Sequence, residues 1–407
     1  MTKDIFAPAD ILLPGGVPME TWSVIACDQF SSERDYWERV REKVGDAPST
    51  LKIIIPETYL ETMDEEAELR KIHSAMDDYI NRGLLRSVED SFIYVERTQS
   101  DGKMRRGLVG AVDLEEYDFS GLDSAIRASE GTVLERLPAR IRVRRAAKLE
   151  APHIITFIDD KDKAVIEPLS DKADKLPLLY DFDLMEGGGH IKGMRVSGDN
   201  AAGVMEEMRK LREKNGLLMV VGDGNHSLAA AKTYWDTLKQ GLSEAARETH
   251  PARRALVEVN NVYDPAISFE AIHRVVFNIE PAELSKAVRE ALPRGDDYKL
   301  RLVSRGSSDE IGVCANCIGD MLTALQAFFD GYAAGAGCVI DYIHDTEAAL
   351  HLAEQEHCLG LLLPSMDKSE LFAAVSAGGV FPKKSFSVGQ ARDKRYYLEC
   401  RAITDKK

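Results

Sequence analysis

Leu217-Leu-Met-Val-Val-Gly222-Asp223-Gly224-Asn225-His226-Ser227-Leu-Ala-Ala-Ala-Lys232 is the stretch on which the reading of this chain turns. The apolar run Leu217 to Val221 predicts a buried strand, two glycines break it, and Ser227 to Leu238 predicts a helix. A strand that turns sharply into a helix leaves unpaired N–H groups at the helix start, where an anion is well placed. Asp223, Asn225, His226 and Ser227 crowd that turn, with Gly222 and Gly224 supplying its bend. Asp223 can hold a metal ion or orient a hydroxyl, and His226 can move a proton or donate to a phosphate oxygen near neutral pH. A plainer use of the same residues is a helix cap made by Asp223 or Ser227, with His226 a solvated neighbour.

Strand and helix patterns alternate outward from this point. Upstream lie a strand at His153–Asp159, a glycine-rich loop at Glu186–His190, and a helix at about Asn200–Asn215 ending before Gly216. Further upstream, Ser91–Thr98 and Arg106–Asp113 flank Asp101-Gly102 as a β-hairpin. Glu61–Arg82 reads as an amphipathic helix with Leu69, Ile72, Met76 and Ile80 on its apolar face, Ser32–Val44 as an exposed helix, and Ser49–Pro56 as a strand. Downstream, strands at 255–259 and 358–363 alternate with helices at 283–292 and 320–332. The pattern gives a mixed α/β (α+β) fold, with mixed sheets and interleaved helices. Three stretches are expected, 1–125, 126–290 carrying the motif, and 291–407, packed as one integrated unit.

The 407 residues hold 52 Lys+Arg against 68 Asp+Glu, a net charge of −16. Coating a nucleic acid or an anionic membrane needs a basic face, so neither is expected as a partner. No apolar run reaches the length of a membrane span, and the N-terminal residues lack a signal-peptide core, so a cytoplasmic location is expected. Six cysteines are too few for a disulfide scaffold, and Cys314-Ala-Asn-Cys317 has no second pair to complete a zinc site. Nothing in the pattern selects an oligomeric state.

One segment runs against the total: from Arg127 to Lys148 there are seven basic residues and two acidic ones. Read as a strand, Arg140, Arg142 and Arg144 share one face and form a candidate anion cradle, or else the charged face of an edge strand. Glu130 stands at the border of this segment, as a candidate general base or as an arginine's partner. His273-Arg274 offers a proton carrier and a phosphate ligand at a strand start, or a surface pair. A basic C-terminal patch, Lys383-Lys384 and Arg392 to Arg395, is placed to close over an anionic ligand or to face solvent.

Six ordered motifs carry a resemblance across nearly the whole chain: Trp22 to Phe30, Pro48 to Glu57, Ile126 to Arg136, Gly222 to Ala229, Ile272 to Val276, and Lys384 to Gly389. Together they resemble the bacterial and archaeal family known as domain of unknown function 1015. Where shorter relatives carry Asp-Gly-His-His-Arg, this chain has Asp223-Gly-Asn225-His226-Ser227. That pentapeptide is similar to the motif of the ParB/sulfiredoxin-like superfamily, whose members bind nucleotides and include kinases acting on free serine, so the resemblance implies a core of that kind. It also implies that Asp223, Gly224 and His226 stand in a nucleotide or phosphate site, with Glu130 as a base for an acceptor hydroxyl. Ser227 replaces an arginine, so its phosphate contact would come from Arg140, Arg142 or Arg274. Asn225 replaces a histidine. The implied activity is a nucleotide-dependent transfer of phosphate to a small hydroxyl-bearing molecule such as free serine, using ATP or ADP with Mg²⁺ held by Asp223. A non-catalytic nucleotide-binding regulator and a hydrolase of phosphorylated metabolites are the alternatives.

Overall fold

A computed structural model describes residues 4–60, 62–120 and 123–404. The chain forms two compact units, Met1–Ala128, Thr132–Ile267 and Gln390–Lys407 in the first, Ser129–Gly131 and Ser268–Gly389 in the second. The boundaries expected at 125 and 290 do not coincide with this division. The reason is strand pairing: Arg254–Asn260 lies antiparallel to Gly107–Asp113, so the amino-terminal and central stretches share one sheet. The C-terminal residues return to that unit, where Tyr396 and Tyr397 pair with Ile25 and Val24, and Arg401 pairs with Glu150.

In chain order the first unit contains α1 (Arg34–Val44), α2 (Glu65–Asn81), β1 (Leu85–Thr98), β2 (Met104–Asp113), β3 (Ile126–Ala128) and α3 (Leu137–Arg145). It continues through β4 (Ile155–Ile158), β5 (Leu178–Asp183), β6 (His190–Val196), α4 (Gly198–Asn215), β7 (Met219–Asp223), α5 (Asn225–Leu238) and β8 (Arg254–Asn261). These strands order as β5-β6-β1-β2-β8-β4-β7-β3 in an 11-stranded mixed sheet. β7 runs parallel to β3 and antiparallel to β4, while β8 runs parallel to β4. Both faces are buried. Phe92 and Tyr94 of β1 point into a core with Leu228 and Trp235 of α5, and Ile93 and Val95 into another with Trp37 and Val40 of α1. Such two-sided burial is why the central strands read as continuous apolar runs.

The hairpin, the strands around Ile155, Val220 and Val257, and the helices ending at Asn215 and Leu238 stand where the sequence puts them. The expected helix start at Glu61 lies outside the described residues; α2 begins after Asp64, whose carboxylate accepts from Ala67 N at 3.1 Å. Ile80 is 40% exposed, and Tyr79 takes its expected place in the core.

Two expectations are corrected. Thr50–Ile53 is a 3₁₀ turn rather than a strand, started by Ser49, whose side chain accepts from Leu51 N. Its branched residues pack against neighbouring elements instead of a ladder, so tertiary contact overrides strand propensity. Residues 140–144 are helix, not strand, with Pro138 in the first turn of α3, where a missing N–H costs nothing. On a helix Arg140 and Arg144 share a face and Arg142 points away from them.

The second unit carries β9 (His273–Phe277), α6 (Pro281–Ala291), β10 (Arg294–Ser304), β11 (Ser307–Val313) and α7 (Ile318–Ala336). β12 (Val339–Ile343), α8 (Thr346–Ala353), β13 (Cys358–Leu362) and α9 (Glu370–Gly378) complete it. Its 5-stranded antiparallel sheet orders β11-β10-β13-β9-β12. Among the described residues no helix is long and apolar enough to cross a membrane.

Candidate functional site

The turn from β7 to α5 is built by two glycines with different tasks. A Cβ on Gly222 would lie 2.1 Å from the Phe157 ring, so the strand can shift register here only without a side chain. Gly224 takes φ 77°, a left-handed backbone that glycine adopts without strain, and is the N-cap of α5. Its carbonyl accepts from Ser227 N and Leu228 N at 3.0 and 3.1 Å. No side chain caps the helix. Asp223 and Ser227 are therefore not its caps.

Asp223 turns one oxygen inward, where Oδ1 accepts from Gly224 N at 3.0 Å. Its Oδ2 lies 3.4 Å from Lys394 Nζ, at ion-pair distance but without a hydrogen bond. Lys394 is delivered by a clamped segment. Arg97, almost fully buried on β1, donates to the carbonyls of Lys394, Arg392 and Gly188, and Arg105 of β2 donates to the Asp393 carbonyl at 3.0 Å. The Asp393 carboxylate accepts from Ser100 N and Oγ at 2.8 and 3.0 Å. The basic C-terminal segment is thus partly an interior element: Lys394 and Arg395 are buried and Arg392 is exposed.

His226 is held from outside the turn: its Nε2 accepts from Val133 N at 3.1 Å. A ring nitrogen that accepts carries no proton, so with this bond made the proton sits on Nδ1. Beside the turn stands His153, 3% exposed, with Nδ1 lacking a hydrogen bond and Nε2 4.0 Å from Asp28 Oδ1. Burial lowers its pKa below the usual histidine range, while Asp28 and Asp223 pull the other way. Burial alone would raise the Asp28 pKa, but His153, Gln29 and Lys394 together hold it below the usual value. Asp28, His153, Asp223 and Lys394 therefore form one electrostatic group.

A cavity of about 160 Å³ opens next to this group. Ile54, Met76, Val143, Leu149 and Ala230 give it apolar walls, and Cys27, Glu57, Arg140, His153, Ser227 and Tyr397 a polar end. Arg140 pairs with Glu57, and Arg144 with Glu150 at 2.7 Å. Arg142 donates to Glu65 at 2.7 and 2.8 Å on the exposed side, away from the cavity, so of the expected cradle of three arginines Arg140 and Arg144 line the cavity and Arg142 does not. The Cys27 thiol is pushed up to about 12 by burial and by Asp28, which removes it as a nucleophile near neutral pH.

Glu130, His273 and Arg274 belong to the second unit. Glu130 bridges Phe381 there. His273 accepts from Leu363 N through Nδ1 at 3.1 Å and meets Thr346 Oγ1 through Nε2 at 2.8 Å, so both nitrogens hold structure together. Arg274 is wholly buried, donates to the Ile272 carbonyl and stacks 4.9 Å from the Tyr342 ring. Burial lowers its pKa to about 10, against the pull of Tyr342 and Glu130. Neither residue is the surface pair that the sequence allowed.

His153 and Asp28 did not stand out as site residues, whereas Lys394 lies in the basic C-terminal patch that the sequence offered for an anionic ligand. His153 reads as the first residue of a strand, and Asp28 belongs to a stretch distant in sequence. Their shared signal, polar residues ending apolar runs, is too common to single them out.

A family model described as "Protein of unknown function (DUF1015)" matches residues 15–381. The chain belongs to this family. A search of curated proteins finds no match. Solved structures similar to this family member include SbnI with a C-terminal truncation from Staphylococcus aureus, 11% identical, covering 69% of this chain and 82% of that one, with a TM-score of 0.37. A free serine kinase in complex with AMP is 11% identical over 72% of this chain and 90% of its own, with a TM-score of 0.38. A conserved hypothetical protein from Pyrococcus furiosus is 11% identical, covering 70% and 92%, with a TM-score of 0.36.

Among the described residues no group of three or more His, Cys, Asp or Glu side chains is gathered for a metal ion. Mg²⁺ asks for less, since one or two carboxylates and substrate phosphate oxygens complete its shell. Asp223, with one buried oxygen outside any hydrogen bond, fits that modest demand.

The His153 environment predicts a pH-dependent stability. Its folded pKa lies below the unfolded value of 6.5, so between the two the unfolded chain binds more protons. Stability is then full above 6.5 and is lost as pH falls toward the folded pKa. Urea unfolding of His153→Gln should show a shallower acid-side slope than the parent; identical slopes would remove His153 as the cause.

Proposed function

We propose that this DUF1015 member binds a nucleoside phosphate at the β7–α5 turn and transfers its terminal phosphoryl group to a small hydroxyl-bearing acceptor, of which free serine is one. The observation that carries this reading is the uncapped α5 N-terminus beside Asp223 and Lys394. In it, the positive end of the α5 dipole and Lys394 attract the phosphate oxygens, Asp223 would hold Mg²⁺, and the neighbouring cavity receives the apolar face of the nucleoside. When bound, Mg²⁺ supplies neutralisation of phosphate charge. The acceptor oxygen forms a bond to phosphorus as the bond to the leaving nucleotide oxygen breaks, that oxygen keeping the electron pair. The acceptor proton goes to a base.

His153 is the base favoured by the first unit, because burial keeps its imidazole neutral near pH 7. Glu130 is its rival. Phosphorus NMR of the protein with ATP or ADP, Mg²⁺ and a panel of amino acids and polyols tests the reading: a new phosphate ester is the expected product. Inorganic phosphate alone would make the protein a hydrolase, line broadening without product a regulatory binder, and no change with any nucleotide would end the proposal. His153→Gln is expected to stop turnover and keep nucleotide binding, with Glu130→Gln still active; the reverse pattern assigns the base to Glu130.

A further inference from the structure

Arginines buried at the end of the first sheet are matched with carboxylates. Arg253 pairs with Asp113 at 2.9 Å, Arg401 with Glu150 at 2.7 Å, and Arg395 with Glu258 at 2.9 Å. Arg254, at the start of β8, breaks the pattern. Its guanidinium reaches only two backbone carbonyls, Ala111 O at 3.4 Å and Asp4 O at 3.3 Å, and no carboxylate stands at ion-pair distance among the described residues. Both bonds sit at the long limit for N–H···O geometry and neither supplies charge. The half-buried cation is also flanked by Arg253 and Arg401, so its pKa is lowered, first by burial and then by these two neighbours, against Asp113.

Arg254 also lines a cavity of about 290 Å³. Pro8, Ala9, Ala111, Pro251 and Ala402 give it apolar walls, and Asp10 and Thr404 complete the lining. Arg401 adds positive potential but few free donors, since it already serves Glu150 and the carbonyls of Pro251 and Arg254.

We propose that this cavity is a binding site for a small monocarboxylate with a short apolar body, whose carboxylate takes the counter-ion place opposite Arg254. A planar carboxylate matches the guanidinium fork in a bidentate pair. The apolar walls favour a carbon chain over a bare, strongly hydrated phosphate. The site is separate from the β7–α5 turn and does not depend on the phosphotransfer reading.

Saturation-transfer NMR and thermal unfolding with butyrate, run against inorganic phosphate, test the site. Butyrate should receive saturation and raise the melting temperature with concentration, and phosphate should do neither. Charge-assisted bonds of this kind are worth about 1.5–3 kcal/mol, so Arg254→Gln should weaken butyrate roughly 10- to 100-fold. Ala402→Leu, which fills the cavity and leaves the arginine, should also abolish binding, and tryptophan fluorescence checks that each variant is folded. Equal butyrate signals in parent and Arg254→Gln, equal binding of phosphate, or no butyrate signal in the parent would overturn the site.

Discussion

Glu258→Ala is expected to lower the stability of the first unit by about 3–5 kcal/mol, the range for removing one partner of a buried ion pair. Glu258 sits on β8, 2% exposed. It receives Arg395 Nε at 2.9 Å, Arg105 Nη2 at 3.3 Å and Asn260 Nδ2 at 3.2 Å. Burial alone would raise its pKa, but Arg105 and Arg395 overcome that and hold it below the usual range. Without the carboxylate, Arg395 keeps Glu399 at 2.6 Å, whereas Arg105 is left with a backbone carbonyl. A buried guanidinium without counter-charge is the source of the cost. The measurement is selective, because Trp22, Trp37 and Trp235, the 3 tryptophans of the chain, all lie in the first unit. Urea unfolding followed by their fluorescence should show the midpoint fall; a change below about 1 kcal/mol would mean the pair contributes no more than a surface one. The pH sign is also fixed. Since the folded pKa is below 4.5, the stabilisation is present above that value and disappears as pH falls through the folded pKa, so Glu258→Gln should flatten the acid limb.

How much of this was legible in the sequence depended on how local the deciding interactions are. The β7–α5 turn was readable because its cause lies within the one stretch from Leu217 to Lys232: an apolar run, two glycines and an alanine-rich helix. The β1–β2 hairpin was readable for the same reason, from Asp101-Gly102 between apolar runs. Residues 140–144 misled because alternating arginine and branched residues satisfy a strand period, while the helix is secured by Pro138 and by ion pairs to Glu57, Glu65 and Glu150 from elsewhere. The same limit hid the site's partners. Asp28, His153, Asp223 and Lys394 come from four separate stretches, and only long-range contacts, the pairing of Tyr396 and Tyr397 with Ile25 and Val24 and the arginine clamp on 392–394 among them, bring them into one electrostatic group. Arg97 and Arg105 gave no local sign that they would grip three consecutive carbonyls at 392–394. Charge summed over the chain was equally uninformative here: a total of −16 coexists with an interior rich in paired arginines.

Asp223→Asn is expected to cut phosphoryl transfer by about 10²–10³-fold, the loss typical of removing one preorganised electrostatic group. The substitution is nearly isosteric and can keep the carbonyl oxygen that accepts from Gly224 N, so the turn itself should stand. What disappears is the negative charge facing Lys394 and, in the proposed reading, the protein's ligand to Mg²⁺. Two effects then separate. Nucleotide binding without metal should be kept or strengthened, because one carboxylate no longer repels the phosphates. The Mg²⁺ dependence of binding should fade, read from the phosphorus shifts of the bound nucleotide. Lys394→Met provides the opposite control, weakening nucleotide binding with and without Mg²⁺ because a cation is lost. Unchanged turnover and unchanged Mg²⁺ dependence in Asp223→Asn would take the carboxylate out of the chemistry and leave the turn as an anion seat alone. Equal behaviour of the two variants would mean that the 3.4 Å pair acts as a structural unit, because only a pair with divided roles responds oppositely to losing its anion or its cation.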